Sequence, residues 1–271
     1  MRALRATYLV ELTKLIAQVR VWIVAAAMLI APWAFVLLLR GQDRLPNDTL
    51  YGRYVTSVGL ATPLLVLGFL ASWGFPLLTA LVSGDIFSSE DQQGTTKTIL
   101  TRSVSRRAVF AGKVLASFTY SIAIVVILAG SGIAAGLVVI GHQPLQSLAG
   151  TTLPLGHALG LVAAAWASSL LPFLGFACLS MMISVLSRNS VIGVMLPIVI
   201  GFVMQFYAFL NGKDVVRHNL LTTPFMDWHG LFDVPQFTTP LIRGALVSVA
   251  YSVVTLAVAY RVFVRRDVTG G

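Results

Sequence analysis

Acidic residues and cysteines are both scarce in this sequence. Asp and Glu total 10 against 19 Lys and Arg, and charged residues of either sign make up only 11% of the 271. A chain that is 57% hydrophobic with so little charge cannot cover a soluble surface with polar groups, so a soluble globule is excluded. The single cysteine, Cys178, rules out an intrachain disulfide. Glycine-lysine pairs occur, but none completes the phosphate-cradling loop of a nucleotide hydrolase, so the chain does not split ATP by that route. No paired carboxylates and no nucleophile with a neighbouring base mark a catalytic site.

What the sequence does contain is long apolar runs. Six reach the length a helix needs to cross the hydrocarbon core, roughly 19–39, 54–82, 108–140, 159–186, 190–210 and 242–263. The expected fold is therefore all-α, a polytopic membrane protein forming one transmembrane domain over 1–271. Prolines 32, 63, 76, 172 and 197 fall in or near these runs, where a membrane helix tolerates a kink. The net charge of +9 follows membrane topology and does not indicate nucleic acid. Thirteen Lys and Arg flank one side of the spans and six the other, which predicts both termini in the cytoplasm. The first run is too long for a signal peptide and has no small-residue cleavage site before Arg40. Spans three to five carry no acid or histidine at mid-depth, which argues against a proton- or sodium-driven carrier.

Before the first span, Leu4, Tyr8, Leu12, Leu15 and Val19 recur at steps of three and four. They predict an amphipathic interfacial helix over 1–18, with Arg5, Glu11, Lys14 and Gln18 off the apolar stripe. The longest outer loop, 211–241, holds Phe225, Trp228, Leu231, Phe232 and Phe237 among three prolines. Such a loop anchors at the outer interface or re-enters the membrane, and re-entry requires shielding by protein. The four histidines fall outside, and with no cysteine or acid completing a ligand set no metal site is expected; His229 with Asp227 comes nearest to one.

The segment 83–107 between spans two and three is polar and basic. Ser88 and Asp91 have capping-box spacing, predicting a short helix from about residue 89 that Gly94 interrupts or ends. Ile99 and Leu100 form an apolar tip, and Ser103 or Ser105 caps the helix that runs on into span three. Arg106 and Arg107 oppose the dipole of that helix, so they are better suited to the anionic membrane surface, together with Lys113. The result is a docking knob for a cytoplasmic partner.

These residues resemble the permease subunit of bacterial ABC-2-type exporters. The likeness runs through Glu90, Gly94–Thr95, Ile99–Leu100, Ser105–Arg106 and Gly112–Lys113. Where that family often has a proline before valine-serine-arginine, Ser103 stands here. The helix before span one with Glu11, the six-span layout and the long loop before span six extend the likeness along the chain. The resemblance implies that Gly94, Thr95, Thr98, Ile99, Leu100 and Thr101 form a coupling element seated on a separate ATPase subunit, with Ser105 to Lys113 returning to the membrane. It implies two such ATPase subunits carrying ATP and magnesium, and a second permease subunit, identical or closely paralogous, facing spans two and five. Gly59, Gly68, Gly201 and Phe206 would line or pack that interface. The implied location is the bacterial cytoplasmic membrane, and the implied activity is export without covalent change, with no cofactor on this chain. Two readings stand beside it. One is a scaffold or sensor using the same knob without moving substrate; the other is a membrane enzyme acting on lipid-linked substrates through His157, His218 and His229.

Overall fold

The computed structural model describes residues 2–40, 51–94, 105–147, 150–210 and 213–265. In chain order the helices are α1 (Arg2–Ile16), α2 (Val19–Arg40), α3 (Ala61–Ser83), α4 (Ser88–Gln92), α5 (Arg106–Val139), α6 (Leu155–Ser187), α7 (Ser190–Phe209), α8 (Asp214–Arg217) and α9 (Thr239–Arg265). Two 3-10 helices, Gly52–Tyr54 and Thr223–Phe232, and a two-stranded antiparallel ribbon, β1 (Leu145–Gln146) with β2 (Thr152–Leu153), complete the described elements. The chain is an all-α polytopic membrane protein.

Among the described residues five helices, α2, α5, α6, α7 and α9, are long and apolar enough to cross a membrane. The sixth span is α3 if its two halves, Ala61–Ala71 and Trp73–Ser83, count as one; they are bent by 66°. Pro76 has no N–H to offer the Ser72 carbonyl one turn back, which accounts for a bend at that point. Gly201 of α7 packs against the Pro76 ring so closely that a Cβ there would lie 2.7 Å from it.

Helices α3 and α6 form the centre. Phe75, Phe173, Phe176 and Cys178 are fully enclosed, whereas α2 and α7 turn large apolar faces outward. Outward apolar faces are what lipid-facing helices require, since the hydrocarbon replaces the protein neighbour. Two glycine pairs bring backbones into direct contact. A Cβ on Gly84, at the end of α3, would lie 2.2 Å from the Gly193 carbonyl of α7. Gly59, just before α3, meets Gly136 of α5 in the same way.

The segment 213–238 folds back onto the bundle. Leu221, Phe225, Trp228 and Phe232 are buried, with Phe225 against Phe75 and Phe176 at ring separations of 5.2 and 6.0 Å. Val234 and Phe237 remain exposed. The 3-10 helix of this segment is thus shielded by protein, whereas the non-helical stretch 234–238 is exposed.

Helix α1 differs from expectation in its orientation. Its inner face carries Tyr8, Glu11 and Leu15 toward α5, and Glu11, expected on the polar side, is only 4% exposed. Leu9, Val10 and Ile16 face outward instead. The reason is a charge partner inside the protein, described next.

Candidate functional site

Where α1, the α3–α4 junction and the first turns of α5 converge, six charged side chains meet around a cleft of about 610 Å³. Glu11, Asp85 and Glu90 supply three negative charges; Lys14, Arg20 and Lys113 supply three positive ones. Lys113 is the centre. Its Nζ donates to Glu11 Oε2 at 3.0 Å, to the Ile86 carbonyl at 2.9 Å, and pairs with Glu90 Oε1 at 2.9 Å. It also lies 5.6 Å from the Phe87 ring centroid. Lys14 closes the ring from the open side, donating to Glu11 Oε1 at 2.8 Å and to Glu90 Oε1 at 2.7 Å. Arg20, at the start of α2, pairs with Asp85.

Local sequence explains each placement. Glu11 and Lys14 lie three residues apart on one helical turn, so they share a face. Gly112 lets α1 approach α5 closely: a Cβ there would lie 2.8 Å from Thr7 Cγ2. The neighbouring Lys113 then reaches Glu11. Tyr8 Oη and Thr119 Oγ1, 3.0 Å apart, hold the same two helices together.

Burial alone would raise the Glu90 carboxyl. The adjacent Lys113 charge and the hydrogen bonds from Lys14 and Lys113 outweigh it and hold Glu90 below the ordinary glutamate range. Burial alone would likewise lower Lys14, but its hydrogen bonds to Glu11 and Glu90 leave its ammonium above the ordinary value. Glu90 and Lys14 are therefore held in their charged forms, each against charges of opposite sign, as buried ions require.

Helix α4 is tied on its other side to α6 and α7. Ser184 Oγ accepts from the backbone N–H of Phe87 at 3.3 Å and of Ser88 at 3.0 Å, and Ser88 Oγ contacts Ser190 Oγ at 3.4 Å. This corrects the capping expectation. Ser88 lies inside α4, its hydroxyl also donates to the Gly84 carbonyl, and no side chain caps the helix start at Phe87. Below α4, Phe87, Phe110 and Phe263 pack with centroids 5.3 to 5.8 Å apart, bringing in the end of α9.

The residues expected to form the coupling element are divided. Gly94 is exposed, ends the turn after α4 at φ 69°, and takes a conformation that glycine adopts without cost. Thr95, Thr98, Ile99, Leu100 and Thr101 lie outside the described residues. Ser105 caps α5, its side chain accepting from the Ala108 N–H. Of the three expected surface anchors, only Arg107 is exposed. Arg106 is half-buried, and its Nη1 donates to the Val264 carbonyl at 3.0 Å. Lys113 is 1% exposed and cannot serve as a surface anchor; two carboxylates and a carbonyl draw it inward.

His229 stacks on Trp228 and its Nδ1 donates to the Met226 carbonyl, while burial holds its pKa below the ordinary value. His157 lines a separate pocket of about 170 Å³ with Ser147, Asp233 and Gln236. Among the described residues no group of three potential ligands could hold a metal. Gly59 and Gly201 are used in packing within the chain, Gly68 lies beside Trp228, and Phe206 is exposed on α7.

The charged junction could have been suspected from sequence. A lysine embedded between Gly112 and Val114 in an apolar helix needs a buried anion, and acids are few enough to name the candidates. Which acids reach it depends on α1 folding back along α5, which no local pattern states. The family model described as ABC-2 family transporter protein matches residues 8–205. No curated protein matches the chain.

Proposed function

Because the chain belongs to the ABC-2 family of transporter proteins, we propose that it is the permease subunit of an ATP-driven exporter, coupled through residues 94–101 to a separate ATPase subunit. The observation that carries this reading is the junction around Lys113. The stretch 95–104 is bounded by it on both sides: α4 with Glu90 before, α5 with Lys113 after, held together by a 2.9 Å ion pair. A segment whose two flanks are tied this firmly suits a docking element that must pass on a push. It does not suit a solvated linker.

Two ATPase subunits supply ATP and magnesium, and two permease subunits, identical or paralogous, form the pathway with α3 and α7 nearest their interface. The exposed apolar residues of α7, among them Phe202 and Phe206, give that interface its material. Arg107 lies at the anionic inner surface of the bacterial cytoplasmic membrane. The chain itself makes and breaks no covalent bond.

The test is purification from the native membrane in mild detergent. An ATP-hydrolysing subunit should co-purify with the unmodified chain. Ile99→Glu with Leu100→Glu should lower its recovery or its coupled hydrolysis by about tenfold, while the chain itself remains folded. Normal recovery and normal hydrolysis in that double variant would place the docking contact elsewhere. Recovery of a partner that hydrolyses no ATP would instead favour a scaffold or sensor.

A further inference from the structure

We propose that Lys113 is a positioning residue of the transport cycle: it clamps the two flanks of the coupling segment to α1, so that displacement of that segment moves α1 and α5 as one body. This rests on the coupling reading above and goes beyond it by naming the part that transmits the motion.

The geometry favours a clamp over a simple fold contact. Three stretches of chain are joined through one ammonium: α1 by Glu11, the α3–α4 turn with α4 by the Ile86 carbonyl and Glu90, and α5 by Lys113 itself. Lys113 lies two helical turns beyond the start of α5, about 10 Å from Arg106. A force applied to residues 95–104 therefore reaches Lys113 along a short, rigid helical lever. On its other side α4 meets α6 and α7 through the hydroxyls of Ser88, Ser184 and Ser190, next to the backbone contact of Gly84 with Gly193. Ion pairs with several hydrogen bonds are the stronger and more directional link, while small hydroxyl and glycine contacts permit sliding. Ion pairs thus tie α4 to α1 and α5, whereas hydroxyl and backbone contacts tie it to α6 and α7. That difference lets the ion-paired flanks travel together. The cleft of about 610 Å³ beside the cluster leaves room for Lys14 and Arg20, both partly exposed, to exchange partners as those flanks move.

The experiment uses the whole complex with its co-purified ATPase subunit. Spin labels are placed by Val138→Cys on α5 and Val215→Cys on α8, both exposed; native Cys178 is buried and stays unlabelled. The distance between labels is compared without nucleotide and after trapping with ATP and vanadate. The unmodified complex should show a clear shift. The neutralised variant Glu11→Gln, Glu90→Gln, Lys113→Met leaves no buried charge unpaired. Measured on complexes that retain the ATPase subunit, it should lose about two thirds or more of the shift. Lys113→Arg, which keeps the charge, should retain most of it. A full shift in the neutralised variant would overturn the proposal, since a merely structural cluster has no reason to control the movement. If that variant does not fold, Glu90→Gln decides: it removes the ion pair between α4 and Lys113 and leaves Lys113 paired with Glu11, so a reduced shift supports the clamp and a full one overturns it. Failure of the underlying coupling reading has a different signature, in which no ATPase subunit accompanies even the unmodified chain.

Discussion

Lys113 shows what a single residue can decide in a chain with so little charge. With Glu11 and Glu90 it forms a buried set in which each member removes the desolvation cost of the others. Substituting one partner is therefore far worse than substituting all three. Lys113→Met alone leaves two buried carboxylates sharing the half-exposed Lys14 as their remaining cation and should cost about 3 kcal/mol. Adding Glu11→Gln and Glu90→Gln should recover most of that. Cys178 offers the readout, because it is the only cysteine and is buried, so thiol labelling during a thermal ramp reports unfolding directly. The same set fixes a pH dependence. Glu90 is held below its ordinary range, so its contribution is full above the unfolded glutamate value of about 4.3 and is lost as pH falls through the lower folded value. Lys14 is held above its ordinary range, so its contribution is full below about 10.4 and is lost as pH rises through the higher folded value. The melting temperature should be flat from about pH 5.5 to 9 and fall on the acid side, and Glu90→Gln should shrink the acid fall. An acid fall unchanged by Glu90→Gln would assign it to other groups. Sequence pattern identified Glu11 and Lys113 as notable but put both in the wrong surroundings. It assumed that charge near a membrane helix end faces water, whereas here each charge faces its opposite.

At the scale of elements, the helices could be read closely from apolar run length, because hydrocarbon thickness sets that length. Expected 190–210 is observed as Ser190–Phe209, and expected 108–140 as Arg106–Val139. The start of α3 was not legible. The run from 54 is largely apolar, yet helix begins only at Ala61, after a 3-10 turn and the Gly59–Gly136 contact. Apolarity specifies burial, and a buried turn is as apolar as a buried helix. Nor does sequence alone say which glycines are contacts. Gly84 and Gly193 touch backbone to backbone, whereas a Cβ added at Gly130 would meet nothing within 4 Å. Gly84→Ala should force α3 and α7 apart and cost about 1–3 kcal/mol, while Gly130→Ala should be neutral or slightly stabilising. Equal melting temperatures for the two variants would mean that the glycine contact carries no packing constraint.

The whole molecule bears on a question that hydropathy leaves open, whether bent α3 crosses from one pole to the other. Its first residues lie beside Gly136, at the far end of α5, and its last beside Glu90 and Lys113, near the start of α5. Helix α5 has 34 residues and so spans about 50 Å. The two ends of α3 therefore lie by opposite ends of α5 despite the 66° bend, the placement that a crossing requires. Six crossings put the beginning and end of the described chain at one pole, in keeping with the Arg106 bond to Val264 and the Glu11 bond to Lys113. The basic excess favours the cytoplasm for that pole. Single-cysteine labelling tests both parity and orientation. With Cys178 buried, Arg107→Cys should react with a membrane-impermeant maleimide only after the cells are opened. Val215→Cys, on exposed α8, should react in intact cells. Labelling of both positions from the same side would mean that α3, or another helix between them, does not cross. Labelling of Arg107→Cys alone in intact cells would keep the six crossings and reverse the orientation, putting residues 94–101 outside, where no ATPase subunit could reach them.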